Sequence, residues 1–264
     1  MSLQPCARPA AMVTGSLRGI GRACALGLAN AGFNLLLNDR DGDENHELAR
    51  RMASELENVG ADCLQVLGDV ANLELHQAMV DAAMARWGRI DCLVNNAGVP
   101  AHRRGDLLDV TPESFDACVR VNTRAVFFLS QAVARQMLLQ GSGNGTHRSI
   151  INITSSNAKA VSITRSEYCV SKAASSMTTK LFAVRLASAG IGVYEIRPGI
   201  IETDMTRLFK AHYDRVISEH LVPAERWGYP TDVASAVVCM AEGRLPYTVG
   251  QSITVDGGFI MPRF

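Results

Sequence analysis

No apolar run in the 264-residue sequence approaches the ~20 residues that a membrane-spanning helix needs. Neither sign of charge is in excess: Lys+Arg and Asp+Glu both number 26, and the formal net charge is zero. Without a basic surplus there is no electrostatic footprint for nucleic acid or for an anionic membrane, and neutrality favours self-association into a homo-oligomer. Seven cysteines (Cys6, Cys24, Cys63, Cys92, Cys118, Cys169 and Cys239) are odd in number and never in C-x-x-C spacing. That pattern argues against a disulfide framework or a zinc site and for the reduced thiols of a cytoplasmic protein. The six histidines show no H-E-x-x-H or other paired spacing, so no metal site is expected. A basic-then-apolar signal peptide is also missing from the first residues.

What is present is an ordinary globular balance, 47% hydrophobic and 20% charged. Short apolar runs read as strands at 10–14, 33–38, 61–67, 90–94, 149–154, 191–196 and 252–255. Between them, helical patterns run over 20–31, 44–59, 73–86, 111–139, 167–189 and 231–240, several stopped by a glycine such as Gly32, Gly60, Gly88 or Gly190. Thr111-Pro112-Glu113 supplies an N-cap, a proline at the first helical position and an acid in the first turn. Strict alternation of strand and helix predicts an α/β fold: a doubly wound, Rossmann-type parallel sheet of about seven strands with helices on both faces, in one domain spanning 1–264. Residues 141–145 read as a polar loop, and 199–230 as a substrate lid with a short helix near 206–219.

The first strand leads into Thr14-Gly15-Ser16-Leu17-Arg18-Gly19-Ile20-Gly21 and then a helix. Strand, glycine turn, helix is the setting that gives a dinucleotide fingerprint its meaning, although the spacing here is G-x-x-x-G-x-G. Gly15 permits the tight turn, Gly19 a close approach to the pyrophosphate, and Gly21 close helix–strand packing, with the pyrophosphate on the free N–H groups at the helix start. Asp39 follows the second strand, 20 residues after Gly19, where a carboxylate bonds the adenine-ribose hydroxyls of NAD(H) and repels the extra phosphate of NADP(H). Arg18 and Arg40 pull the other way, since either could reach a 2′-phosphate. Asp69-Val70 ends the third strand, placed either to edge an adenine ring or to cap the following helix. Asn95-Asn96-Ala97-Gly98 ends the fourth strand, and ligands of open α/β sheets bind outside such strand ends.

Tyr168 and Lys172 are four residues apart in a helical pattern and so share one helix face. An unperturbed phenol titrates near ~10. A neighbouring ammonium lowers that value and makes the pair a candidate general acid/base.

Taken together, T-G-x-x-x-G-I-G (Thr14 through Gly21), Asp69, N-N-A-G (Asn95 through Gly98), Asn122, Ser155, Tyr168-x-x-x-Lys172 and Pro198-Gly199 resemble, in order and spacing, the short-chain dehydrogenase/reductase family. The resemblance implies hydride transfer between a nicotinamide cofactor and a small-molecule ketone or secondary alcohol. It makes Tyr168 the acid/base, Lys172 its pKa-lowering and ribose-binding partner, and Ser155 the group that bonds the substrate oxygen. It further implies that Asn122 holds a water linking Lys172 to solvent, and that Pro198, Gly199, Ile201 and Thr203 hold the nicotinamide. Residues 198–206 look like the 3-oxoacyl-acyl-carrier-protein reductase branch; sugar, polyol and hydroxyacid dehydrogenases share the same motifs. Family members are commonly tetramers or dimers, and the two long helices are the expected interface. Arg103 or Arg104, after the Asn-Asn-Ala-Gly corner, either contacts a substrate anion or is solvated.

Overall fold

The computed structural model describes residues 8–141 and 146–263. Most of the polar loop expected at 141–145 therefore lies outside the described residues, as does Cys6. The seven strands are β1 (Ala10–Thr14), β2 (Asn34–Asn38), β3 (Cys63–Gln65), β4 (Cys92–Asn95), β5 (Arg148–Ile153), β6 (Ile191–Pro198) and β7 (Ser252–Val255). All pair in parallel in the order β3-β2-β1-β4-β5-β6-β7. Strand order reverses between β1 and β4, which opens a crevice at their carboxyl ends.

Each strand feeds both faces of the sheet by period-two alternation. Along β2, Leu35 and Leu37 join one core and Leu36 the other. The first core takes α1 (Gly19–Asn30), α2 (Asp43–Asn58) and α9 (Pro230–Ala241), through Leu28, Met52 and Val237. The second takes α3 (Leu73–Trp87), α5 (Val126–Leu139) and α6 (Ser166–Leu186), through Met79, Leu129 and Ala183. Burial on both faces explains why the strands read as unbroken apolar runs rather than alternating ones. Among the described residues no helix is long and apolar enough to cross a membrane.

Three departures from the sequence reading bear on the site. The helix expected over 111–139 is α4 (Pro112–Val119) and α5 joined by a π-helical segment, Arg120–Ala125. Neither proline nor glycine marks that segment; it holds the fully buried Asn122. The last turn of the helix expected to end at 189 tightens to a 3-10 turn, Ala187–Ala189, and Gly190 closes it at φ +68°. Finally, the lid carries two helices, α7 (Asp204–Arg207) and α8 (Lys210–Ser218), where one was expected.

Gly21 decides how closely α1 approaches β1. A Cβ built there would sit 1.9 Å from the Gly15 carbonyl oxygen and 2.5 Å from Asn96 Nδ2. Both neighbours are held in the turn, so Gly21→Ala overpacks it, at about 1–3 kcal/mol. The melting temperature should fall by about 2–10 °C; a thermal unfolding curve that superimposes on wild type would refute this packing argument.

Candidate active site

The glycine turn and the β4 corner are stitched together by one pair of residues. Thr14 Oγ1 accepts from the Asn96 and Ala97 N–H groups at 3.1 and 3.0 Å. Asn96 Nδ2 returns bonds to the Thr14 and Gly15 carbonyls, both at 2.9 Å. Asn96 was not singled out by sequence reasoning, because the motif it sits in does not distinguish its two asparagines. Asn95 points the other way: its amide bonds Ser130 Oγ and Asn152 Oδ1 inside the core, so its side chain serves the sheet.

Gly15 and Gly19 both have positive φ, +60° and +52°, which only glycine adopts cheaply. Ser16 is buried, its hydroxyl on the Asn38 carbonyl at 3.1 Å, and Ile20 packs into the first core. Asp39 is fixed by two backbone donors, Leu17 N–H at 3.1 Å and Arg40 N–H at 2.9 Å. Arg18 lies across the same corner. Its guanidinium bonds Asn45 Oδ1 at 2.7 Å and pairs with Glu44 at 2.6 Å, while Arg40 is exposed and gives its carbonyl to Asn45 Nδ2.

Asp69 receives the Ala71 N–H at 2.9 Å and stands 3.6 Å from Arg120, beside the buried Val70. It does not cap α3; Asn72 does, accepting from Glu74 N–H. Beyond β6, the Gly199 N–H bonds the Val255 carbonyl and Ile201 bridges to Gly228. Thr203 N-caps α7, and its Cγ2 would lie 3.2 Å from a Cβ on Gly19. The strand-end segment after Pro198 thus closes onto the glycine turn. A cradle of bare backbone between Gly15, Gly19, Gly98 and Thr203, with Asp39 at one end, fits a dinucleotide: side-chain bulk is missing where phosphates would need N–H groups.

At the other end, Tyr168 and Lys172 project from the first turns of α6. Lys172 is 4% exposed; its Nζ donates to the Ile153 carbonyl at 3.0 Å and lies 5.8 Å from the Tyr168 ring centroid. Burial pulls its pKa down to about 8, against smaller upward pulls from Cys118 and Glu195. Burial raises the Tyr168 phenol, opposed by the Ser155 hydroxyl bonded to it and by Arg165. The lowering expected of Tyr168 does not dominate in the protein alone: desolvation by burial is the largest influence on the phenol. Ser155 heads a short 3-10 turn after β5 and accepts the Asn157 N–H at 3.1 Å.

Asn122 joins the two ends. Its Oδ1 accepts the Val99 N–H at 2.8 Å, and its Nδ2 donates to the Val99 carbonyl and to Ser171 Oγ, both at 3.0 Å. Ser171 Oγ in turn donates to the Tyr168 carbonyl at 2.8 Å. A Cβ on Gly98 would meet Asn122 Oδ1 at 3.1 Å and Lys172 Nζ at 3.4 Å. The Asn122 side chain is therefore occupied with backbone and Ser171, not aimed at Lys172. Arg104, read as a solvated loop charge or an anion contact, is no loose charge: Nη2 donates to Tyr213 Oη at 2.9 Å. Arg103 is exposed. Arg165, also directed at Tyr213, carried no sequence signal beyond its place three residues before Tyr168.

A glycine-turn cradle at the switch point of a parallel sheet, with a tyrosine, lysine and serine gathered beside it, defines a dinucleotide-dependent oxidoreductase. A family model described as enoyl-(acyl carrier protein) reductase matches residues 15–260. The 2-dehydro-3-deoxy-D-gluconate 5-dehydrogenase of Dickeya dadantii is 35% identical over 253 residues, covering 95% of this chain and 94% of its own. A crystal structure of a 3-oxoacyl-acyl-carrier-protein reductase from Brucella melitensis in complex with NAD superposes with a TM-score of 0.92 at 41% identity, over 100% of both chains. A gluconate 5-dehydrogenase from Burkholderia cenocepacia, in complex with NADP and tartrate, gives 0.87 at 35% identity over 97% and 96%. The chain belongs to the short-chain dehydrogenase/reductase family and is an NAD(P)-dependent oxidoreductase.

The depressed Lys172 pKa has a consequence for stability. Between about 8, its value in the fold, and the ordinary 10.5, the unfolded chain binds a proton that the native one does not. Stability contributed by this group therefore rises with pH across that window. Buried cysteines such as Cys24 and Cys92, held above their ordinary value, work in the opposite sense above pH ~9. The difference between wild type and Lys172→Met isolates the lysine: in urea titrations the variant's stability advantage should shrink as pH rises from 8 to 10.5. An advantage constant across that range would contradict the assignment.

Proposed function

We propose that the enzyme interconverts a secondary alcohol and a ketone, with NAD(H) preferred over NADP(H), and that Tyr168 exchanges the proton at the substrate oxygen. The observation that carries this reading is the grouping of Tyr168, Ser155 and Lys172 around one point beside the glycine cradle. The nicotinamide, when bound, supplies or accepts the hydride. In reduction the Tyr168 hydroxyl gives its proton to the developing alkoxide, and in oxidation the phenolate takes it back. Ser155 donates to the same oxygen and stabilises the charge that grows on it. Lys172 lies within a ring's width of Tyr168 and is poised by desolvation to part with a proton near pH 8. With one donor on the Ile153 carbonyl, its ammonium keeps two N–H groups for the cofactor ribose, and its charge favours the phenolate.

Asp39 supports the NAD(H) preference. Both oxygens accept backbone N–H groups, one of them from Leu17 in the glycine turn, which holds the carboxylate beside that turn. Arg18, the first candidate for holding a 2′-phosphate, is already engaged by Asn45 and Glu44. The exposed apolar face of α6, which includes Met177, Leu181 and Val184, supports self-association. Free thiols fit a cytoplasmic setting. The relatives divide between acyl reductases and sugar-acid dehydrogenases, and a carboxylated, polyhydroxylated substrate agrees with Arg104 and Arg165, which meet under the lid at Tyr213, better than an acyl thioester.

Tyr168→Phe should lower kcat by about a hundredfold or more on any ketone that the enzyme reduces, with little change in cofactor affinity; a variant retaining most of its turnover would sink the acid/base assignment. Fluorescence titration with both cofactors reads the second claim. Asp39→Ala should move the NADH:NADPH affinity ratio toward NADPH by about fivefold or more. A wild-type enzyme that binds NADPH tenfold tighter than NADH would reverse it.

A further inference from the structure

Two arginines that meet at Tyr213 have no carboxylate partner among the described residues, yet both are held in place. Arg104 Nη2 donates to Tyr213 Oη at 2.9 Å, and its Cζ lies 3.5 Å from the Phe209 ring centroid. Arg165 Nη1 reaches the same Tyr213 Oη at 3.5 Å, while Nε donates to Ser162 Oγ at 3.3 Å. Its Cζ stands 5.8 Å from the Tyr168 ring centroid. The Gly105 N–H bonds the Thr164 carbonyl at 3.2 Å and fixes the two arginine-bearing loops to one another. Tyr213 comes down from α8 and is only 6% exposed, edge-on to Trp227 at 5.7 Å.

The lid therefore seats one neutral oxygen between two cations. A phenol oxygen has few lone pairs to offer, and two guanidiniums bring ten N–H donors between them, most of which stay unused. Other partly buried arginines settle on carboxylates, as Arg197 on Glu195 at 2.9 Å and Arg22 on Glu55 at 2.5 Å, or on backbone carbonyls, as Arg148 on those of Met137 and Ala189. Here no acid answers the doubled positive charge. An anion entering between the forks would relieve the repulsion and take up the spare donors, and the planar guanidinium suits a carboxylate bidentately.

The geometry points to a substrate-carboxylate clamp: Arg104 and Arg165 grip a carboxylate of the alcohol or ketone while Tyr213 closes over it. The inference rests on the oxidoreductase reading above and narrows its substrate class to hydroxy acids and keto acids. Proximity of Arg165 to the Tyr168 ring requires the anion to lie within a few bonds of the reacting carbon. The phosphate of an acyl-carrier arm is far along its chain from the ketone and would not reach both.

Matched hydroxy acids and their methyl esters, of three to six carbons, test it in steady-state assays with each cofactor. Wild type should favour the acid of each pair that turns over. The acid-to-ester ratio of kcat/KM should fall about tenfold or more in R104Q and R165Q, with R104K and R165K intermediate, because lysine keeps the charge and loses the fork. Preference for the esters, or a ratio unchanged in both glutamine variants, overturns the clamp. Calorimetric titration of malonate into the enzyme–NADH complex reads the clamp without turnover. Malonate should bind wild type and bind R104Q/R165Q at least tenfold more weakly, with circular dichroism melting to verify the fold. Equal affinity, or no binding to wild type, also overturns it. Turnover of no pair, alongside clamp-dependent malonate binding, would instead count against the proposed alcohol–ketone chemistry on these acids and leave the anion site standing.

Discussion

One buried carboxamide sets the distance between the two halves of this site. Asn122 grips both backbone groups of Val99, just beyond the β4 corner, and donates its remaining N–H to Ser171. Ser171 passes the constraint to the Tyr168 carbonyl, and Thr123 Oγ1 reinforces it with a bond to the Ser171 carbonyl at 2.9 Å. The β4 corner is already tied to the glycine turn through Thr14 and Asn96. Two sets of hydrogen bonds, joined by the short backbone from Ala97 to Val99, thus link the dinucleotide cradle to the helix that carries Tyr168 and Lys172. Every link is buried or partly so, where an unmet polar group costs about 1–3 kcal/mol; that cost makes the arrangement hard to loosen piecemeal.

The π-helical segment follows from the same constraint. An uninterrupted α-helix over 112–139 would turn Asn122 and Thr123 differently relative to α6. The extra residue in the turn lets both side chains face α6 and the Val99 loop while the flanking helices stay in register with the second core. Such wide turns are uncommon and concentrate at functional sites.

This explains what could and could not be read from the amino-acid order. The sheet was legible because a parallel sheet covered on both faces leaves seven apolar runs separated by helix-period segments. Thr111, Gly88 and Gly190 marked helix ends because capping and positive φ are local demands. Gly15, Gly19 and Gly21 stood out for the same reason. What stayed hidden depends on long-range partners. Nothing local distinguishes Asn96, which ties two strands, from Asn95, which faces the core. The Arg165 contact with Tyr213 spans 48 residues of sequence, and that of Arg104 spans 109. Lys172 illustrates the limit within a motif: its spacing from Tyr168 is readable, whereas its bond to the Ile153 carbonyl and the burial that depresses its pKa appear only in three dimensions.

If Asn122 transmits position from the β4 corner to the catalytic helix, its effect on catalysis must run through Ser171. A double-mutant cycle on kcat/KM with Asn122→Ala, Ser171→Ala and the double variant measures this directly. The account predicts a coupling of about 1 kcal/mol, so that the double variant is about fivefold more active than the product of the single effects. Effects that add to within about 0.3 kcal/mol would contradict it, and would make Asn122 a support of the β4 loop alone.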